Sequence, residues 1–391
     1  MVYLFAVLTL FGHWAISIFI INRLHSTALP YRLMKAIDLI WYSSLFVWPP
    51  IVAMAVWGVP QLSWLATHPM WRSLGTLYFS ACCIAFPMAV FTWVQHYFDT
   101  HTTSRLEGNH SRTIDVIGRL GHRPTGNWST TLLSSLPRNQ VFNLWVQEKS
   151  IRLPRLHPEL DGLTIGHLSD LHFTGRTTRP YYELVVDEAN ELDADLLVIS
   201  GDIIDKRPCF PWLTEILGRL RSRHGVFFVL GNHDLRVRDE LRVRNDLTAA
   251  GLTDLGGRFQ QIEVRGQQIV LAGNELPWFA PAADMKHAPR RLANGSPLRI
   301  AVSHSPDQIE WARSYDIDLM LAGHTHGGQI RFPIIGPVFS PSRYGVRFAS
   351  GTFYRDPTLM HVSRGLSGTR ALRFNCPPEL TKLVLRSDAN L

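Results

Sequence analysis

Three long stretches near the start of the chain carry no charged residue. None falls within residues 2–22, none between Asp38 and Arg72, and none between Arg72 and Asp99. A hydrocarbon core of ~30 Å requires about 20 apolar residues as helix, so the pattern predicts membrane spans near residues 2–21, 39–57 and 74–94. Nothing basic precedes the first run and no small-x-small cleavage pattern follows it, so it reads as an anchor rather than a removable leader. Pro49 and Pro50 fall inside the second run, which is expected either to bend there or to shorten into a re-entrant element. Trp41, Trp57, Trp64 and Trp71 lie mostly near the span ends, as an interfacial belt would put them.

Residues 99–140 are rich in Thr, Ser, Gly, Asn and Arg, show no period of 2 or 3.6, and read as a linker. The boundaries expected are therefore an anchor over 1–98, a basic linker over 99–140 and a second domain over 141–391. In the second domain, strand-like apolar runs occur at 163–166, 196–200, 226–230, 269–272, 298–302 and 319–322, with helical patterns at 181–190 and 238–250. That alternation predicts a layered α/β domain.

Composition sharpens this division. The chain is 46% hydrophobic and only 18% charged, against a usual ~25% charged. The formal charge of +7 is uneven: residues 101–160 hold 8 Lys and Arg against 4 acids, while the 231 residues after them hold 27 against 26. A nucleic-acid-binding domain concentrates positive charge on itself, so nucleic acid is not expected as a partner; a basic stretch beside a membrane is the simpler reading. Arg23, Arg32 and Lys35 in the first loop, Arg72 alone in the second, and Arg105 and Arg112 after the third span orient a multi-pass protein of the cytoplasmic membrane with its second domain in the cytoplasm. The four cysteines, two of them the adjacent Cys82 and Cys83, exclude a disulfide scaffold and agree with a reducing compartment. His13 lies inside a span, where a neutral histidine packed between helices is the ordinary case and a transport role the exception.

Several predicted strands end in clusters of Asp, His or Asn, and strand ends are where open α/β sheets put their sites. In order these are Ser169-Asp170-Leu171-His172, Gly201-Asp202-Ile203-Ile204-Asp205, Gly231-Asn232-His233-Asp234, Ser303-His304-Ser305 and Gly323-His324-Thr325-His326-Gly327. In extended chain, residues two apart project to one side, so Asp170 with His172, and His324 with His326, can face one cavity. Carboxylate oxygen with neutral imidazole suits Mn²⁺ first, with Fe²⁺ and Zn²⁺ as alternatives, and the lack of cysteine argues against a structural zinc site. The glycines at 201, 231 and 323 allow backbone to approach a ligand closely.

The ordered set Asp-x-His, Gly-Asp-x-x-Asp, Gly-Asn-His-Asp, His and Gly-His-x-His resembles that of the calcineurin-like metallophosphoesterases, over roughly residues 141–386. The resemblance implies a four-layered αββα sandwich with two divalent metals at the junction of two sheets. Asp170, His172, Asp202 and His326 would hold one metal, and Asp202, Asn232, His304 and His324 the other. Hydroxide generated between the metals would attack a phosphate ester or pyrophosphate. The histidine of the third motif acts as general acid in that family, which points to His233, with Asp205 orienting it and Asp234 free to cap the helix that follows. Arg236, Arg238 and Arg364 are candidates for binding an anionic substrate.

Two departures separate the chain from the phosphoprotein phosphatases: Asp205 is followed by Lys206-Arg207 where those enzymes have Arg-Gly, and the third motif ends in Asp234 where they have Glu. It is more similar to the bacterial membrane-anchored branch, some of whose members hydrolyse the pyrophosphate of a UDP-linked diacylglucosamine. An anchor raises the effective concentration of a catalytic domain toward lipid head groups, which favours a lipid-linked substrate. The alternatives are a phosphatase or phosphodiesterase acting on soluble nucleotides or phosphoproteins, and a non-catalytic metal-binding membrane protein.

Overall fold

The computed structural model describes residues 2–57, 69–99, 105–292 and 295–388. The chain divides into two compact units, Met1–Thr102 and Thr103–Leu391. Trp64 lies outside the described residues, as do the side chains of Trp57, Trp71 and Arg72.

The first unit contains the helices α1 (Val2–Leu24), α2 (Tyr31–Trp57) and α3 (Pro69–Asp99). Segments Tyr3–Leu24, Arg32–Met54 and Ser73–Gln95 are long and apolar enough to cross a membrane. Leu39, Ile40, Phe46, Leu77 and Phe91 point outward. A stripe of such side chains is costly in water and costless in lipid. Helix α2 runs through Pro49 and Pro50, so the shorter re-entrant element is not adopted; prolines are tolerated in apolar spans where neighbouring helices satisfy freed backbone groups. Gly12 permits close packing of α1 on α3, since a Cβ there would stand 1.9 Å from the Cys82 carbonyl oxygen. His13 is packed between helices, with Nδ1 2.7 Å from the Tyr78 hydroxyl, Nε2 3.2 Å from Ser44 Oγ, and its ring stacked on Trp48.

The second unit is built on two mixed sheets. The first has the order β1-β2-β15-β3-β4-β5-β6, and its strands are β1 (Leu106–Asp115), β2 (Asn143–Leu153), β3 (Thr164–Leu168), β4 (Leu196–Ser200), β5 (Val226–Val229), β6 (Thr253–Asp254) and β15 (Glu379–Ser387). The second has the order β13-β14-β10-β9-β8-β7, made of β7 (Phe259–Val264), β8 (Gln267–Asn274), β9 (Leu298–Ser303), β10 (Leu319–Ala322), β13 (Gly351–Arg355) and β14 (Thr358–Val362). A hairpin of β11 (Arg331–Phe332) and β12 (Gly336–Pro337) stands apart from both.

The period-2 alternation of the strands assigns the layers. Leu196, Val198, Phe227 and Val229 of the first sheet join Ile300, Val302, Leu319 and Leu321 of the second in one buried cluster between the sheets. Their neighbours Leu197, Ile199 and Phe228 face the other way, onto Val185 of the helix Arg179–Glu191 and Val243 of the helix Glu240–Ala249. Ala301, Met320 and Ala322 likewise face the helix Ile309–Ser314. The result is the αββα order of layers, with each central strand apolar on both faces.

The stretch read as a linker over 99–140 is largely structured. Strand β1 pairs antiparallel with β2, and the helix Trp128–Ser134 begins at Asn127, whose side chain accepts from the Thr130 amide. Strand β1 is an edge strand with polar residues on both faces, so it shows no alternation in sequence.

Candidate metal centre

Turns at the C-terminal ends of β3, β4, β5, β9 and β10 bring the candidate residues together. Asp170, His172, Asp202 and His326 form one group of donor atoms and Asp202, His304 and His324 a second, each within 4.8 Å. Nε2 of His172 is 3.5 Å from Asp202 Oδ2, Nε2 of His326 is 3.3 Å from Asp170 Oδ1, and Nε2 of His304 is 3.3 Å from Asp202 Oδ1. Asn232 adds an amide oxygen to the second group, 3.2 Å from His304 Nε2.

The backbone that achieves this is not extended. Asp170, His172, Asp202, His324 and His326 have φ of 54°, 50°, 53°, 69° and 50°, the left-handed region that costs an ordinary L-residue about 1–2 kcal/mol. The two-residue spacing therefore converges by turning, contrary to the expectation from strand geometry, and His324 and His326 serve different groups. Close approach explains two glycines: a Cβ on Gly323 would stand 1.8 Å from Ser169 Oγ, and one on Gly231 would stand 2.4 Å from Asp202 Oδ1.

The chemistry of this donor set fits divalent cations. Imidazole nitrogens face each other at 3.1 Å in the His172–His326 and His304–His324 pairs, beside two buried carboxylates. Burial, then His304, pushes His324 well below its ordinary pKa; burial and His172 do the same to His326. Both stand neutral, the form that binds metal. For His304, burial disfavours the charged form but Asp202 and Asp170 outweigh it, raising the pKa to about 9. Asp202 is held well below the carboxylate range; burial opposes this, and His304 and His233 prevail. His172 Nδ1 lies 2.7 Å from Asp205 Oδ1 and His304 Nδ1 2.8 Å from the Ser200 carbonyl, which orients each Nε2 inward.

His233 lies at the edge of this cluster. Its Nδ1 is 2.7 Å from Asp205 Oδ2, its amide donates to Asp202 Oδ1, and its ring stands 4.5 Å from that of His172. A carboxylate only accepts, so Nδ1 carries a proton and Nε2 is the exchangeable site. Arg236 donates to Asp205 Oδ2 at 2.7 Å, and its Nη2 is 3.1 Å from His233 Nε2. Asp205 is held below the usual carboxylate range by His172 and His233, against the opposing effect of burial. Arg238 is exposed, with its carbonyl accepting from Arg207. Arg364 packs its guanidinium over Trp145 and lies 3.7 Å from Glu379, while its stem lines Gly327 beside His326.

Sequence reasoning missed several residues that shape the site. Asp234 caps no helix: its carboxylate accepts from the Gly231, Ile203 and Ile204 amides and ties two turns together. Glu275, buried at the end of β8 and bridged to Arg244, accepts from the Leu230 amide and supports the turn that carries Asn232. Its signal was available, because Asn274-Glu275 ends a predicted strand like the other clusters. Trp278 packs against His324 and His304 at 4.8 and 5.4 Å. Behind the site a buried polar chain runs from Lys149 and Glu379 through His361 and His167 to Ser200 Oγ.

The model of the calcineurin-like phosphoesterases matches residues 163–328, from the start of β3 to the turn after β10. Over 222 residues the chain is 32% identical to Phosphodiesterase YaeI of Escherichia coli, covering 56% of this chain and 80% of that protein. The chain belongs to the calcineurin-like phosphoesterases. This phosphoesterase is also 26% identical to UDP-2,3-diacylglucosamine pyrophosphatase LpxG of Chlamydia muridarum, over 59% of the chain and 85% of that protein. It is 29% identical to a transmembrane protein with metallophosphoesterase domain of Bos taurus, over 70% of the chain and 65% of that protein. The phosphoesterase is thus a metal-dependent hydrolase of phosphoric esters or pyrophosphates, of a family that binds two divalent metals, and it carries three helices able to cross a membrane.

Proposed function

We propose that this phosphoesterase is anchored in the cytoplasmic membrane and hydrolyses a phosphodiester or pyrophosphate carried on a membrane lipid. The supporting observation is the convergence of seven donor residues on two groups that share Asp202, in a chain with three membrane-length apolar helices. Asp170, His172, Asp202 and His326 would hold one divalent cation, and Asp202, Asn232, His304 and His324 the other, with Mn²⁺ the expected occupant. Such cations polarise phosphoryl oxygen and supply hydroxide at neutral pH. His233 would protonate the departing oxygen through Nε2, which accepts from Arg236 here and must first exchange that contact for a proton from solvent, a contribution of about 10²–10⁴-fold. Asp205 would keep that imidazole in the right tautomer and favour its charged form. Arg236 contacts both members of this pair, Asp205 Oδ2 and His233 Nε2, and Arg364 is the better of the remaining candidates for meeting substrate.

The test is hydrolysis by the full chain in nanodiscs with Mn²⁺ against lipid pyrophosphates, nucleotides and aryl phosphodiesters. Lipid-linked substrates should turn over fastest, chelator should abolish turnover, and Asp202→Ala should be inactive. An active Asp202→Ala protein sinks the shared-ligand reading, and a clear preference for nucleotides sinks the lipid reading. The Lys and Arg bias of the loops supports a catalytic domain in the cytoplasm. A single cysteine introduced at exposed Leu241 should escape an impermeant thiol reagent in intact cells, and labelling from outside would reverse the assignment.

A further inference from the structure

The second unit exposes large apolar side chains at two places that the catalytic reading does not use. One is the helix Trp128–Ser134 and the residues after it, where Trp128 (78% exposed), Leu132 and Leu136 recur every four positions. The other is the hairpin after the His326 turn, whose tip bears Phe332, Ile334 (84% exposed) and Ile335. Both are tied to one strip of chain. Asn139 Nδ2 donates to the carbonyls of Leu133 and Ala371, and Arg373 N donates to Asn139 Oδ1. Ile330 bridges to Phe374, and Asn375 Nδ2 donates to the Arg331 carbonyl. The same strip meets the metal centre, since Cys376 Sγ lies 3.4 Å from the His326 carbonyl.

The charge of these segments is one-sided. No Asp or Glu occurs between Asp115 and Glu148, between Asp318 and Asp356, or between Asp356 and Glu379. The side chains of fixed charge in all three intervals are arginines, among them the exposed Arg138 and Arg370. Isolated exposed apolar residues need no explanation, but a Trp-Leu-Leu row and an apolar hairpin tip, both on segments whose fixed charges are all arginine, match the interface of an anionic bilayer.

We propose that Trp128 and Leu132 of the short helix, Leu136 just after it, and the hairpin tip of Phe332, Ile334 and Ile335 dock into the surface of an anionic lipid bilayer beside the metal centre. The occupant is lipid because the chain itself carries three helices able to cross a membrane and because the flanking charge is complementary to anionic head groups. The proposal rests on the reading of the protein as a membrane enzyme and adds how its substrate would be met: at the interface, without leaving the bilayer.

The full chain in nanodiscs containing phosphatidylglycerol tests this directly. Ile334→Cys and Trp128→Cys are labelled with an environment-sensitive fluorophore, with Leu241→Cys as control and the unsubstituted chain as labelling blank. Labels at 334 and 128 should shift to the blue and be quenched by lipids spin-labelled on the acyl chain, while the label at 241 stays in water. Quenching at 334 and 128 by aqueous iodide alone overturns the proposal; a blue shift that persists in lipid-free detergent and grows with protein concentration overturns it in favour of a second copy. As a second readout, Trp128→Asp/Ile334→Asp should keep turnover of a soluble aryl phosphodiester within about twofold and lose about tenfold or more on a bilayer-embedded phosphoester, the scale of burying one such side chain. Equal turnover of both substrates refutes docking. A chain without hydrolytic activity refutes the proposed function instead, and the quenching result still decides docking.

Discussion

Asp205 is the most informative single perturbation because it is not itself among the proposed metal ligands yet joins the two halves of the chemistry. Its oxygens stand 2.7 Å from both His172 Nδ1 and His233 Nδ1, and Arg236 donates to the same carboxylate. Asp205→Asn keeps the shape, removes the charge and leaves one accepting oxygen for three N–H donors, two of them imidazoles. One imidazole must then lose its partner. Hydrogen bonds to charged groups contribute about 1.5–3 kcal/mol, so loss of the His233 interaction corresponds to about 10²-fold in kcat when the leaving group needs a proton. Loss of the His172 interaction lowers metal affinity about 10–100-fold, which saturating metal repairs. The assay compares an alkyl phosphodiester with a nitrophenyl ester, whose leaving group departs without a proton. At saturating Mn²⁺ the substitution should cost about 10²-fold on the alkyl ester and less than about tenfold on the nitrophenyl ester. Equal losses on both esters would refute the assignment of His233 and Asp205 to protonation of the leaving group.

Other expectations follow from the same geometry. Because the pKa values of His304, raised to about 9, and His172, raised against burial by Asp205, both favour the charged form and both must be neutral to bind metal, Mn²⁺ affinity should rise at least about tenfold per pH unit above 7 with release of protons; isothermal titration in buffers of different ionisation enthalpy reads this directly. Gly323→Ala, whose Cβ would fall 1.8 Å from Ser169 Oγ, should destabilise the fold by about 1–3 kcal/mol and lower metal content, measured by urea unfolding and metal analysis. Burial, then Lys149, holds His361 at about 4 against an ordinary 6.5. The unfolded chain binds that proton first, so this contribution is present above pH 6.5 and lost as pH falls toward 4, amounting to about 3 kcal/mol at most. His361→Asn should flatten that part of the stability-versus-pH curve, and an unchanged slope would show that the imidazole is not the titrating group.

The central strands were legible because burial on both faces makes them continuous apolar runs: β4 and β10 coincide with the predicted residues 196–200 and 319–322. The helix Arg179–Glu191 shows the same legibility through its apolar period. The predicted runs correspond to β3, β4, β5, β8, β9 and β10; β1, β13 and β14 are among the strands outside them, as is the buried β15 next to β3. Strand β1 is a polar edge, and β14 hides His361 among apolar residues because its polar partner, Lys149, comes from a strand more than 200 residues away. At the site, residue types and order were readable. The manner of convergence was not, since the sign of φ at Asp170 or His326 is set by the turns packed around it. The sequence assigns Asp234 a cap and passes over Glu275 although it follows a predicted strand, because both hold the site through backbone amides of other turns, and those partners are visible only in the fold.

The five left-handed positions also bear on how this chain can change. At each of them the preferred replacement on backbone grounds is glycine, or asparagine after it. Glycine at any of them would relax the backbone and remove a metal donor together, so backbone ease and metal binding oppose each other at these positions. The Asp and His side chains at all five positions are therefore held on backbone that suits glycine better, so the donor set of the metal centre is kept at a standing cost to the fold.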